Sequence, residues 1–174
     1  RAGRDWVVAG WRDRALAWAE AALAPHGIGG VVEVEQVRLW EFSSLLRLRT
    51  AGGSVFYLKA VSEAGRHEVW LTARLAAEAP AEMPEVIAAD AGRRWLLLRA
   101  TAGPQLTEVA EPASWVDAAG AIARIQVAWV GRGAELSDLG CPAYGLAWLA
   151  ARIAPLLADT AALLRRREFL RTGI

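Results

Sequence analysis

The stretch from Leu45 to Val61 limits the fold more than any other part of the chain. Leu46 and Leu48 alternate with Arg47 and Arg49, Ala51-Gly52-Gly53 follows, and Val55 to Val61 is a mostly apolar run. Period-two alternation, a glycine turn and then β-branched and aromatic residues are the signals of a hairpin. Its second strand carries Lys59, the chain's only lysine, in a sequence whose other long basic side chains are all arginine. The two are not interchangeable where a compact point charge must meet a phosphate, so the position of Lys59 is a functional clue.

Around this hairpin the pattern extends in both directions. From Trp11 to Ala24 the residues Trp11, Leu16, Ala19 and Leu23 fall near one helical face, and Pro25-His26-Gly27 ends the helix. Val31 to Phe42 reads as a strand, with a turn at Phe42-Ser43-Ser44 before the strand Leu45 to Thr50. After the hairpin, Arg66 to Ala79 predicts a helix in which Glu68, Leu71, Thr72 and Leu75 share a face, closed by Pro80 and Pro84. A second hairpin joins Val86–Ala89 to Arg94–Arg99 across Asp90-Ala91-Gly92-Arg93.

Thr101-Ala102-Gly103-Pro104 is the clearest linker, and beyond it alanine-rich helix replaces strand. Ser114 to Val130 predicts an amphipathic helix with Ser114 as its N-cap and Trp115, Ala118, Ile122, Ile125 and Trp129 along one stripe. Gly131 to Pro142 reads as a loop. Ala143–Ile153 and Pro155–Leu170 read as two further helices, because proline suits a first turn better than a helix interior. The expected class is α+β: a five-stranded antiparallel sheet with one helix after its third strand, then helices. The expected division is an N-terminal lobe over 1–100, including the helix 11–24, and a helical part over 101–174.

Composition narrows the function classes. A net charge of +1 on 174 residues supplies no concentrated basic field for nucleic acid or an anionic membrane. Arg165-Arg166-Arg167 is read as a solvated helix face. Cys141 has no second cysteine to pair with and no adjacent histidine or basic cluster to activate it, which suits a reducing cytoplasm and argues against a nucleophile. No apolar run approaches the roughly 20 residues of a membrane helix. Trp18, Trp115 and Trp129 sit at core spacing.

Taken in order, Phe56-Tyr57-Leu58-Lys59-Ala60, His67-Glu68-Val69-Trp70-Leu71-Thr72, Pro84-Glu85-Val86-Ile87-Ala88-Ala89-Asp90 and Trp95-Leu96-Leu97-Leu98 resemble the aminoglycoside phosphotransferase family of the protein-kinase-like fold. The resemblance runs from about Trp11 to the end. It implies the small lobe of that fold followed by the first helices of the large lobe, ATP as the nucleotide, and transfer of its γ-phosphoryl group to a hydroxyl of a small molecule. In such a fold the strand lysine contacts the α and β phosphates and a helix glutamate holds it, roles that fall to Lys59 and Glu68. Glu63 is the alternative partner for the lysine.

The resemblance also implies Ser43 and Ser44 as phosphate-loop residues in place of glycines, with an ordinary turn as the competing reading. Leu98, Arg99 and Ala100 would offer backbone groups to adenine. Strand alternation puts Tyr57 on the face of Lys59, where it would stack on the base, narrow the pocket or fill it. The catalytic His-Gly-Asp-type loop and the later aspartate that holds magnesium in the complete enzyme have no counterpart in these residues, so no catalytic or metal-binding residue is assigned. The missing initiator methionine and the ending at Arg171-Thr172-Gly173-Ile174 favour a piece of a longer enzyme over a freestanding remnant. The alternative function is a degenerate kinase-like module that binds a nucleotide or a protein without catalysis. A mixed domain of unrelated fold would lack a close Lys59–Glu68 approach.

Overall fold

The computed structural model describes residues 4–159. Five strands form one sheet: β1 (Val31–Leu39), β2 (Ser43–Thr50), β3 (Val55–Val61), β4 (Val86–Asp90) and β5 (Trp95–Arg99). Their spatial order is β1-β2-β3-β5-β4, with every neighbouring pair antiparallel. The chain is therefore α+β, a five-stranded antiparallel sheet followed by helices, as the strand and turn signals predict. β3 lies in the middle, flanked on both sides by partners, which explains why its sequence is the most apolar of the strands.

Two helices use the two faces of this sheet. Helix α1 (Trp11–Leu23) turns Trp11, Ala15, Ala19 and Leu23 inward at helical spacing. They join Leu46, Leu48, Phe56, Leu58, Ala60, Trp95 and Leu97, the alternate residues of β2, β3 and β5, in one buried cluster. Trp95 stands edge-on to both Trp11 and Trp18, at interplanar angles of 84° and 67°. Helix α2 (His67–Glu78) has one fully buried residue, Val69, which meets Val61 and Leu96 in a second and much smaller cluster.

The β2–β3 and β4–β5 turns are made differently. Gly53, at φ +81°, occupies a left-handed position that costs glycine little. Between β4 and β5 the corresponding strain falls on Arg94, at φ 59°. Its guanidinium donates to Asp5 at 2.7 Å, to Glu63 at 3.2 Å and to the Val61 carbonyl at 3.4 Å. The side chain thus supplies contacts that glycine could not.

Several boundaries differ from the sequence expectation. The β1–β2 turn is Trp40-Glu41-Phe42, and Ser43 and Ser44 belong to β2. Ser44 is fully buried in the inward row Ser44, Leu46, Leu48 and Thr50, so the period-two pattern begins earlier than its apolar members indicate. Helix α3 spans Pro112–Ala128 with Glu111 at the N-cap and proline in its first turn, which displaces Ser114 from the capping role. The expected loop contains a short helix, α4 (Gly133–Asp138).

Helix α5 (Leu146–Ala158) runs through Pro155 where two helices were expected. Pro155 lies in the second half of the helix, and Asp159 N donates to the Pro155 carbonyl, so the helical turn continues past the ring. The segment 160–170 and Arg165-Arg166-Arg167 lie outside the described residues.

The chain divides into compact units over 1–141 and 142–174, whereas the change from strand to helix falls at the linker near 101–104. Among the described residues no helix is long and apolar enough to cross a membrane.

Candidate functional site

Strand alternation decides which side chains of β3 are available. Phe56, Leu58 and Ala60 are sealed beneath α1, and Val55, Tyr57 and Lys59 project to the opposite face. On that face Lys59 is flanked by Leu45 of β2 and Leu96 of β5, and Tyr57 by Arg47 and Leu98. The face continues outward to β1 as a charged ladder, in which Arg47 bridges Glu35 at 3.2 Å and Arg49 bridges Glu33 at 2.8 Å. One sheet thus carries the larger apolar cluster on one side and, on the other, the Lys59 row, a small apolar cluster and a charged ladder.

Helix α2 reaches this surface directly after β3. A short turn at Glu63–Gly65 redirects the chain, and the first turn of α2 brings Glu68 to Lys59, whose Nζ donates to Glu68 Oε1. The side chains are 29% and 36% exposed, which keeps the pair within reach of solvent. An ammonium has three donors, and this bond uses one. Lys59 is therefore a positioned cation that retains capacity for an anionic group.

Glu63 does not compete for it, because its carboxylate is bridged by Arg66 and Arg94, each at 3.2 Å. His67 sits beside Glu68 in sequence, half-buried at the start of α2.

The other candidate residues are not all gathered at this point. Leu98 faces the site opposite Tyr57. Arg99 points to the α1 face, where its guanidinium lies 5.2 Å from the Phe56 ring centroid and binds Glu85 at 2.5 Å. That hydrogen bond holds the Glu85 carboxyl below its ordinary range. The backbone N–H of Arg99 donates to Glu85 O at 2.9 Å and that of Ala100 to Val55 O at 3.0 Å, so both amides are occupied within the sheet. A base at this edge would have to use carbonyl oxygens, or groups beyond Ala100.

Ser43 shares the Lys59 face by register, but it is part of a paired strand rather than an open loop. Ser44 faces the α1 side, where Gln36 Nε2 lies 3.2 Å from its hydroxyl. With no exposed surface, Ser44 cannot meet a ligand phosphate. The turn itself is tied down, since Ser62 N donates to Phe42 O at 2.8 Å and Trp40 N to Ser43 O at 2.8 Å. Trp40 and Phe42 are exposed on it. The expected serine loop is thus replaced by a pinned aromatic turn, a substitution that neither residue type nor spacing announced.

Charges on α2 form a second cluster that sequence reasoning missed. Arg132, at the start of α4, grips Glu78 of α2 with both terminal nitrogens, at 2.7 and 2.9 Å, and Glu135 through Nε and Nη2, at 2.8 and 2.6 Å. Its guanidinium also lies 3.9 Å from the Trp129 ring centroid. Arg74 adds bonds to Glu78 at 2.6 Å and to Glu135 at 3.5 Å. Hydrogen bonding to Arg132 holds the Glu78 and Glu135 carboxyls below their ordinary range, and the two glutamates raise the Arg132 pKa in turn. The i,i+4 spacing of Arg74 and Glu78 and the i,i+3 spacing of Arg132 and Glu135 are visible in sequence, but the cross-connection is not.

The tryptophans divide as well. Trp18 packs against the α1 core, Trp129 supports Arg132, and Trp115 is 48% exposed with its indole N–H donating to Val109 O at 3.1 Å. The core role expected for Trp115 is therefore replaced by a hydrogen bond near the start of α3. Burial raises the Cys141 thiol above its ordinary value, the direction that disfavours the thiolate. No group of three metal-ligating side chains occurs among the described residues. No protein-family profile, curated protein or solved structure matches the chain.

Proposed function

We propose that this chain is the ATP-binding N-terminal part of a phosphotransferase of the aminoglycoside phosphotransferase type, acting in the cytoplasm on a hydroxyl of a small molecule. The observation that carries the reading is the ion pair between Lys59 of the central strand and Glu68 of the helix that follows it. A half-exposed cation held by a carboxylate suits the α and β phosphates of a nucleotide, because its direction is fixed before the ligand arrives. Magnesium belongs to the same proposal for the complete enzyme, with no residue of this chain assigned to it. Phosphoryl transfer is assigned to the parent protein, since the residues here would hold phosphates rather than activate an acceptor.

The direct test is titration with a non-hydrolysable ATP analogue and magnesium, comparing the chain with Lys59→Ala. Loss of one charge-assisted bond to phosphate corresponds to about 1.5–3 kcal/mol, so affinity should fall roughly 10- to 100-fold. Equal affinity for the two proteins would remove Lys59 from this role.

Tyr57 favours a second reading, that of a degenerate module whose pocket is filled from within. It faces Leu98 across β3 and β5 beside Lys59, and the Arg99 and Ala100 amides are already engaged. Under that reading Tyr57→Ala should create nucleotide binding that the parent chain lacks. Binding by the parent chain that Tyr57→Ala leaves unchanged or weakens would exclude it.

A further inference from the structure

Helix α2 carries Glu68 of the Lys59–Glu68 pair, yet little of it is fully buried. Val69 is its single fully buried side chain. Along one flank an open cavity of about 410 Å³ lies beside Ala73, Ala76 and Ala77, with Pro80, Met83 and Val86 across it. Alanines facing an open cavity make few dispersion contacts, so this flank contributes little to the position of the helix. By contrast, the C-terminal turn of α2 is gripped by a guanidinium that is itself bonded to a second carboxylate and stacked on an indole.

We propose that Arg132 is a positioning residue for the Lys59–Glu68 pair, fixing α2 through Glu78 so that Glu68, at the opposite end of the helix, stays against Lys59. Ten residues of α-helix separate Glu68 from Glu78, a rigid span of about 15 Å. A shift or rotation of one end is therefore passed to the other. The Arg74–Glu78 bridge cannot substitute, because both partners belong to α2 and hold it to nothing else. Without Arg132, Glu78 and Glu135 are left with Arg74 alone, and Arg74 reaches Glu135 only at 3.5 Å. Arg74 is then divided between two carboxylates, which weakens the tie from the end of α2 to α4. The effect on the ion pair follows from this geometry; any effect on nucleotide binding rests on the function proposed above.

The single lysine makes the proposal measurable. Selective ¹⁵N labelling of lysine gives one side-chain resonance, that of Lys59, whose shift reports its contact with Glu68. In the full chain, Arg132→Ala should move this resonance toward its position in Glu68→Gln and increase the rate of Lys59 acylation several-fold. Arg124→Ala, which breaks the 2.6 Å bridge from α3 to Glu82 just beyond α2, should leave both unchanged. A folded Arg132→Ala protein with the parent resonance and acylation rate would overturn the proposal, as would an equal response to Arg124→Ala.

If circular dichroism shows Arg132→Ala to be unfolded, Glu78→Gln decides, since it keeps the shape and removes only the charge. A smaller shift in the same direction is expected, and no shift overturns the idea. Parallel titration with the ATP analogue separates the two hypotheses. Variants that move the Lys59 resonance in a chain that binds no nucleotide keep Arg132 in its role and remove the functional reading.

Discussion

The two faces of the sheet are built on different physics. Among the described residues, eleven buried ones form one continuous apolar cluster on the α1 face, whereas three do on the α2 face. Burial is non-directional and hard to reverse locally, so α1 is fixed as part of the domain's stability. Charge pairs are directional, exposed and individually weak, so α2 is held by geometry at its two ends. The face that carries the candidate chemistry is the one whose helix is less firmly packed, in keeping with the general concentration of movable elements at the low-stability end of a structure.

The largest test of this contrast is Phe56→Ala. Phe56 is fully buried beneath α1, and its truncation should cost about 4 kcal/mol in urea unfolding, with the whole transition shifted. Val69→Ala, a smaller deletion on the buried face of α2, should cost about 2 kcal/mol from lost methyl burial and the cavity left behind. It should also raise hydrogen exchange in α2 more than in α1. Equal exchange in the two helices would abolish the distinction between a packed and a tethered helix.

Acid provides a subtler test. Glu78 and Glu135, facing Arg74 and Arg132, both have carboxyls lowered from the ordinary value of 4.5 by hydrogen bonds to Arg132. A depressed folded-state pKa contributes stability at pH above the ordinary value, and that contribution disappears as pH falls through the folded value. Between pH 7 and 5 α2 should therefore keep its exchange protection. Below about pH 4.5, protonation should release its C-terminal turn while α1, held by apolar burial, remains protected. Simultaneous loss of protection in both helices would show that the carboxylates do not govern α2 separately.

The smallest expected effect is from Ala76→Leu, aimed at the open cavity beside α2. A leucine there should stabilise the chain by about 0.5–1 kcal/mol if the cavity accepts it. It should also make α2 less sensitive to Arg132→Ala, because packing would take over part of the tether's task. An undiminished response of the Lys59 resonance to Arg132→Ala would show that packing on this flank takes over none of the tether's task.

Much of the scaffold was legible beforehand for a local reason. Val55–Val61, the Ala51-Gly52-Gly53 turn and the inward spacing of Trp11, Ala19 and Leu23 express their structure within a few residues, and each lies where its pattern indicated. Ser43 and Ser44 were harder because a buried serine interrupts the apolar signal without interrupting the strand. The continuous α5 defied the usual meaning of Pro155, and α4 was too short to announce itself by period. Arg132 resisted for a different reason: its partner lies 54 residues away in Glu78, beyond anything helical spacing encodes.

Sequence by itself determined the approximate strands, the first two helices, the placing of Tyr57 and Lys59 on one face of β3 and the uniqueness of Lys59, because alternation, helical period and residue identity are properties of short segments. Tertiary structure alone decided that β5 inserts beside β3, that Glu68 rather than Glu63 meets the lysine, that Arg99 faces away from it, and that Arg132 closes on Glu78. Those outcomes depend on how distant segments meet in space. Their physical basis is a competition among many possible charge partners, which only the assembled sheet and helices resolve.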